Sequence, residues 1–147
     1  MKCVNESTSV VALSGGIGGA KLALGLSNAY SSRSLMIIGN IGDDFEHYGL
    51  YISPDLDTLM YTISGNSDIE KGWGLAKESW DCMKSLERLG GETWFNLGDR
   101  DLATHLERTR RIMAGESLTE ITSDFCRKFK ISAQILRLEQ DSFSKAS

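Results

Sequence analysis

The chain has 147 residues, of which 41% are hydrophobic and 24% charged, as is typical of a globular protein. A formal net charge of −4 and a sequence pI of about 5.2 argue against nucleic acid or an anionic membrane as the main partner. Three widely separated cysteines without a Cys-x-x-Cys pair argue against a zinc site and against a disulfide framework. The first apolar run, residues 10–13, is too short for a signal peptide or a membrane span, so we predict a cytoplasmic protein.

The first predicted elements form a strand–turn–helix–strand unit. Residues 10–13 are an apolar run that predicts a buried strand, and a glycine-rich turn leads from it into a helix predicted over residues 18–30. Residues 35–38 predict a second strand, followed by a loop over residues 39–52. This order is typical of a βαβ unit with parallel strands.

Apolar residues at helical spacing predict four further helices. Ser53 and Pro54 are the expected N-cap and first residue of the first one, and Ser117 with Glu120 forms a capping box at the start of the last. A final strand is predicted over residues 135–138, and the polar tail from residue 139 is expected to be loose. The apolar residues that mark the four helices are, in order, Leu56, Leu59, Met60 and Ile63; Leu75, Cys82, Leu86 and Leu89; Leu102, Leu106 and Met113; and Leu118, Ile121, Phe125 and Phe129.

These elements predict an α/β fold with a Rossmann-like parallel sheet and an inserted, mostly helical region. We expect a single domain, residues 1–147, with a glycine-loop βαβ part over 10–60, a helical part over 61–130, and a strand and loose tail over 131–147. Two or three strands are few for such a sheet, so we expect the chain to be truncated.

The sequence SGGIGGAK, residues 14–21, lies where phosphate-binding loops lie, between a strand and a helix. Glycines allow the backbone to approach an anion closely, and a lysine adds positive charge. The spacing matches neither the ATPase loop nor the dinucleotide fingerprint, so a tight turn without a ligand is the alternative. The candidate diphosphate-binding residues are Gly15, Gly16, Gly18, Gly19 and Lys21.

Two pairs of aspartates follow. Asp55 and Asp57 fall in the first turn of a helix, where acidic side chains interact favourably with the helix dipole. Their side chains point about 200° apart, too far for the two to bind one ion together. Asp57 is expected on the side away from the apolar face, where a cleft would lie. Asp43 and Asp44 follow the second strand, where a magnesium site and a solvated acidic turn are both open interpretations.

Three stretches together resemble the 2-phospho-L-lactate transferases of deazaflavin coenzyme biosynthesis. They are SGGIGGAKL from residue 14, NIGDDFEHYGLYISPDLDTLMY from residue 40, and LGDRDLATHL from residue 97, in matching order between residues 10 and 135. The resemblance implies a Mg²⁺-dependent transferase. Its acceptor is a deazaflavin precursor, whose terminal ribityl hydroxyl attacks the phosphate of a lactyl-diphosphoguanosine-type donor and releases GMP. The group transferred is 2-phospholactyl or a related phospho-three-carbon acid. It also implies a homodimer at full length.

The resemblance implies roles for individual residues. Asp44 and Asp57 are expected to be catalytic and to ligate Mg²⁺, with Asp43 and Asp55 behind them. Asp57 and Asn96 are expected to contact the deazaflavin. The third matching stretch contains a further cluster of polar residues. Asp99 and Arg100 are expected to bind the ligands, and Asp101, Thr104 and His105 follow them.

Several single residues keep two interpretations. Arg100 suits a phosphate, Asp101 suits a helix N-cap, and His105 is either a packing residue or a ligand. Three tryptophans are candidates to wall a flat ring, although core packing is commoner. The tryptophans are Trp73, Trp80 and Trp94. The chain also has a basic cluster, Arg108, Arg110 and Arg111, which is expected to be a solvated helix face rather than a binding patch.

Two other functions compete with the transferase. One is a non-enzymatic regulator that binds nucleotides or nucleotide sugars, as in the gluconeogenesis-factor-like proteins. The other is an inactive truncated fragment.

Overall fold

A computed structural model describes residues 9–137 and shows an α/β arrangement. In this part of the chain, strands and helices follow one another in the order β1 (Val10–Ser14), α1 (Gly16–Ala29), β2 (Leu35–Gly39), β3 (Phe45–His47), β4 (Leu50–Ile52), α2 (Pro54–Ile63), α3 (Asp81–Arg88), α4 (Asp99–Met113), α5 (Leu118–Lys128) and β5 (Gln134–Arg137).

The main sheet is parallel and has the order β1-β2-β5. Leu13 pairs with Ile38, and Ile38 pairs with Leu136, so the carboxyl ends of all three strands meet at one edge. The α/β, Rossmann-like prediction is therefore confirmed, and so are the first two strands, each one residue longer than expected. Of the last predicted strand, residue 138 lies outside the described residues, as does the tail.

The core lies between one face of this sheet and helices α1, α2 and α5. Ile37 at the centre of β2 and Leu56 and Leu59 of α2 are completely buried there. The other face of β1 carries Val11 and Leu13, which are 59% and 70% exposed.

The predicted loop over residues 39–52 is wrong, because it contains the antiparallel hairpin β3–β4. The turn residues Tyr48 and Gly49 both have positive φ, 52° and 71°, as the tight hairpin turn requires. The strands are three residues long, too short to show an alternating pattern.

Two helix predictions also need correction. Leu75 belongs to a loop, bridged to Ser67, rather than to α3, because Lys77 adopts a positive φ of 58° and α3 begins only at Asp81. In α4, Leu106 and Met113 are 52% and 83% exposed, so the predicted apolar face is not the buried one. The capping box at the start of α5 is confirmed.

Candidate functional site

The first turn of α2 connects the separate groups of predicted site residues. Asp55 and Asp57 both lie in this turn and contact different parts of the molecule. Ser53 is the N-cap of α2 and Pro54 is its first residue, as predicted. The Ser53 side chain makes no capping hydrogen bond, however; its hydroxyl donates to Oδ2 of Asp44 over 2.8 Å. The first turn of α2 thus lies beside three parts of the molecule: the acidic turn after β2 (residues 43–44), the glycine turn between β1 and α1, and the interior of the helical region.

Asp55 faces the glycine turn. Its Oδ1 accepts a hydrogen bond from the Gly16 backbone amide over 2.9 Å, and its Oδ2 accepts from the Asn40 side chain over 2.8 Å. Gly16 has φ 61°, in the left-handed region that favours glycine. A carboxylate therefore already holds the first amide of α1, where the sequence predicted a phosphate.

The other glycines of the turn have distinct roles. A Cβ on Gly19 would lie 2.8 Å from the Ser14 hydroxyl and 3.0 Å from its Cα, so glycine lets α1 pack closely on the end of β1. A Cβ on Gly18 would meet nothing within 4 Å, and Lys21 is exposed. The first amides of a helix have no partner within the helix, so those of Ile17 and Gly18 are available to an anion.

Asp44 has one oxygen satisfied and one oxygen free. Its Oδ2 accepts hydrogen bonds from Tyr51 over 2.9 Å and from Ser53 over 2.8 Å. Its Oδ1 is buried and has no hydrogen-bond partner among the described residues. Burial raises the pKa of Asp44, and burial together with the Asp44 hydrogen bond raises the pKa of Tyr51 to about 12.

The free Asp44 oxygen fits a bound cation. A buried carboxylate oxygen without a partner is unfavourable, and carboxylate oxygens are the ligands that Mg²⁺ prefers. Asp43 is exposed nearby, and its Oδ2 lies 3.3 Å from the Asn40 amide nitrogen. The residues after β2 can therefore hold a hard cation through Asp44, with Asp43 beside it.

Asp57 is buried in an ion pair with Arg108. Arg108 is 1% exposed; its Nη1 donates to Asp57 Oδ2 over 3.0 Å, and its Nη2 donates to Asp57 Oδ1. Although burial opposes the charge of the guanidinium, Asp57 raises the pKa of Arg108. The prediction that Arg108 lies on a solvated face is wrong, whereas Arg110 is exposed and pairs with Glu107.

His105 joins this pair to a second acidic side chain. It is 2% exposed; its Nδ1 lies 3.7 Å from Asp57 Oδ2, and its Nε2 lies 3.3 Å from Asp101 Oδ2. Tyr61 donates to Asp101 Oδ1 over 2.6 Å, and its hydroxyl lies 2.8 Å from that of Thr104. Asp101 thus belongs to the buried network, and the N-cap of α4 is Gly98 instead.

A cavity of about 210 Å³ opens beside this network. Its apolar walls include Trp73 and Phe95, and its polar lining includes Asp57, Asn96 and His105. The expectation that Asp57 faces a cleft is confirmed, and the structure brings Asn96 to the same cleft. A larger, open hollow of about 710 Å³ lies beside α5 and β5, away from the predicted site residues.

Among the tryptophans, Trp73 alone lines this cavity. Trp80 packs on the second, smaller core cluster, and Trp94 packs on Phe45, with ring centroids 5.8 Å apart.

Asp99 and Arg100 have contacts that organise the backbone. Asp99 accepts from the Ser79 hydroxyl over 2.7 Å and from two amides at the start of α3. These hydrogen bonds, from Ser79 first, lower the pKa of Asp99. Arg100 donates to the Ala76 carbonyl over 2.6 Å, while Glu78 accepts from the Arg100 and Asp101 amides in the first turn of α4. Their role in ligand binding stays a prediction.

Sequence reasoning missed Arg108, Tyr51 and Phe95 as members of the site. Tyr51 and Phe95 gave no local signal. Arg108 did have one, because it lies three residues after His105 and seven after Asp101, on one face of a helix.

Comparisons with known proteins agree with the motifs. Residues 10–144 match the family described as 2-phospho-L-lactate transferase CofD. Proteins named phosphoenolpyruvate transferase are 44% identical over 134 residues in Kitasatospora aureofaciens, 43% over 133 in Streptomyces coelicolor and 41% over 146 in Mycobacterium bovis. These alignments cover 90% of the chain but 42%, 42% and 44% of the relatives, so the chain spans about two fifths of their length. No helix within residues 9–137 is long and apolar enough to cross a membrane.

Proposed function

Because the chain belongs to the 2-phospho-L-lactate transferase family, we propose that it supplies the acceptor cavity and part of the donor site of a magnesium-dependent transferase. The transferred group is a phosphate that carries a three-carbon acid, the donor is a guanosine diphosphate derivative, the acceptor is a deazaflavin precursor, and GMP is released. The names of the three relatives favour phosphoenolpyruvate over phospholactate as that group. The reaction belongs to deazaflavin coenzyme biosynthesis in the cytoplasm, and we expect a homodimer at the relatives' full length.

One observation supports this proposal above the others: the first turn of α2 joins three chemically different sites. Asp55 contacts the glycine turn, Ser53 contacts Asp44, and Asp57 lines the cavity. A transfer between two bound substrates requires their sites to adjoin, since phosphoryl transfer depends on positioning and on neutralising charge.

The donor diphosphate is expected at the start of α1. The Gly16 amide is held by Asp55, so the next amides, Ile17 and Gly18, are the ones available to phosphate oxygens. Mg²⁺, when bound at Asp44, supplies positive charge that offsets the negative charge of the diphosphate. Lys21, exposed on the same helix, is expected to add to that charge.

The acceptor is expected in the cavity beside α2. Trp73 and Phe95 offer apolar surface for a flat ring, and Asp57 and Asn96 offer polar groups to orient it. Ser53, which contacts Asp44, and Asp57, which lines the cavity, lie in the same turn of α2. We therefore expect the hydroxyl of the acceptor to meet the donor phosphate near this turn.

Binding and turnover test the proposal separately. The chain is titrated with the deazaflavin precursor, following the fluorescence of the ligand, and we expect Asp57→Asn and Asn96→Ala to weaken binding. Asp81→Asn and Asn28→Ala, at exposed helix positions, are the matched controls.

For turnover, the chain is incubated with the precursor, Mg²⁺ and either the lactyl or the enolpyruvyl guanosine diphosphate donor, and GMP is measured by chromatography. Calorimetry with a UDP-sugar serves as the counter-test. Tight binding of the UDP-sugar, with neither precursor binding nor GMP release, would favour the nucleotide-sugar-binding regulator and refute the transferase.

A further inference from the structure

Both oxygens of the Asp57 carboxylate are bound by one guanidinium, that of Arg108. Arg108 donates one nitrogen to each oxygen, so that the planar fork of the guanidinium matches the carboxylate. Both side chains are buried, 1% exposed for Arg108 and 6% for Asp57. A pair so poorly solvated is weakly screened, and removal of either partner leaves an uncompensated charge inside the protein.

Arg108 is itself fixed by further contacts. Its Nη1 lies 3.5 Å from the Tyr51 carbonyl and 3.3 Å from Nδ1 of His105. Tyr51 lies on the hairpin that also contacts Asp44, and Arg108 lies on α4. The guanidinium is therefore anchored by two elements other than the helix that carries Asp57.

The two predicted magnesium ligands differ sharply in their surroundings. Asp44 has a buried oxygen without a partner among the described residues, whereas both oxygens of Asp57 face a guanidinium. A divalent cation placed on Asp57 would be repelled by Arg108 at short range in a poorly solvated site.

We infer that Arg108 is a positioning residue: it holds the Asp57 carboxylate toward the acceptor cavity and keeps it from ligating Mg²⁺ directly, which leaves Asp44 as the metal-binding aspartate. The inference rests on the proposed function, because the ligand that Asp57 meets in the cavity is the deazaflavin precursor. It opposes the sequence-based expectation that Asp44 and Asp57 share the metal.

Two binding measurements on the same variants test this division of roles. Mg²⁺ binding is measured by calorimetry without substrate, and precursor binding by ligand fluorescence. Asp44→Asn should weaken Mg²⁺ binding about 10-fold or more, the loss of one charged ligand interaction. Asp57→Asn should leave Mg²⁺ binding within about 2-fold while weakening the precursor about 10-fold or more.

Arg108 is tested with a graded series. Arg108→Met should weaken precursor binding as much as Asp57→Asn, and Arg108→Lys, which keeps the charge without the fork, should recover part of it. Since Arg108→Met leaves a buried carboxylate unpaired, the double variant Asp57→Asn with Arg108→Gln keeps the test usable if the single variant fails to fold. The double variant should bind Mg²⁺ like the wild type and the precursor as weakly as Asp57→Asn.

The outcomes separate the inference from the function it rests on. Equal loss of Mg²⁺ binding in Asp57→Asn and Asp44→Asn would overturn the inference, as would full precursor binding by the Arg108 variants. A wild-type chain that binds no precursor would refute the proposed function, and the Mg²⁺ measurements on the two aspartate variants would still decide which of them ligates the metal.

Discussion

Replacement of Tyr61 by Phe isolates a single buried hydroxyl. Tyr61 is 1% exposed, and its ring packs edge-on against Phe129 with centroids 5.7 Å apart, so Phe preserves the ring contact. The hydroxyl donates to Asp101, whose side chain is 14% exposed. A hydrogen bond to a charged group contributes about 1.5–3 kcal/mol, and we expect a loss of about 2 kcal/mol in the free energy of unfolding.

Urea denaturation at neutral pH measures this loss. With a slope of about 2 kcal/mol per molar urea, the midpoint should fall by about 1 M. The melting temperature should fall by roughly 4–8 °C for a chain of this size. Tyr30→Phe, at a half-buried position, is the matched control and should change the midpoint little.

The pH dependence gives the prediction a second check. Burial alone would raise the pKa of Asp101, but hydrogen bonds, from His105 first and Tyr61 after it, bring the pKa below 3.8. A carboxyl whose pKa is lower in the folded state stabilises the protein above its unfolded pKa and loses that contribution as the pH falls through the folded value. The difference between wild type and Tyr61→Phe should therefore be full at pH 7 and shrink below pH 3.8. A loss under about 0.5 kcal/mol, or one that does not change with pH, would refute the reasoning.

Three further outcomes follow from local geometry. Gly19→Ala should destabilise the chain by about 1–3 kcal/mol, because its Cβ would overlap the last residue of β1, whereas Gly18→Ala should be neutral or slightly stabilising; thermal melts compare them. Cys126, 5% exposed and with its pKa raised to about 12 by burial, should react with iodoacetamide far more slowly at pH 8 than the half-buried Cys82, as peptide mass mapping would show. Ser117→Ala removes the capping box of α5 and should cost about 1 kcal/mol in urea denaturation.

The first βαβ unit could be predicted from the sequence because its signals are local. An apolar run of strand length, a glycine turn and a run at helical spacing each depend on neighbouring residues alone. The capping box at Ser117 and Glu120 is local in the same sense, and the structure confirms it. The hairpin was missed for the opposite reason, since its short strands are defined mainly by their pairing with each other.

The buried face of α4 shows where hydrophobic patterning misleads. Asp101, Thr104, His105 and Arg108 follow one another at helical spacing and point inward, while Leu106 on the other side is half exposed. These polar residues are buried because α2 supplies their partners, Asp57 and Tyr61, from about 40 to 50 positions earlier in the chain. Local periodicity cannot reveal a partner that is distant in the sequence. Charged residues that form buried ion pairs are therefore easily mistaken, from the sequence, for a solvated surface.

The spacing of Asp55 and Asp57 carried more information than their acidity. Two positions along a helix turn a side chain by about 200°, so the pair was expected to serve different surroundings. Asp55 meets a backbone amide of the glycine turn, and Asp57 meets a buried guanidinium beside the cavity. Ser53, just before them, adds the contact to Asp44. Since these contacts share one turn of helix, a shift of that turn would displace all three together, which is why the proposed function places the donor, metal and acceptor sites around it.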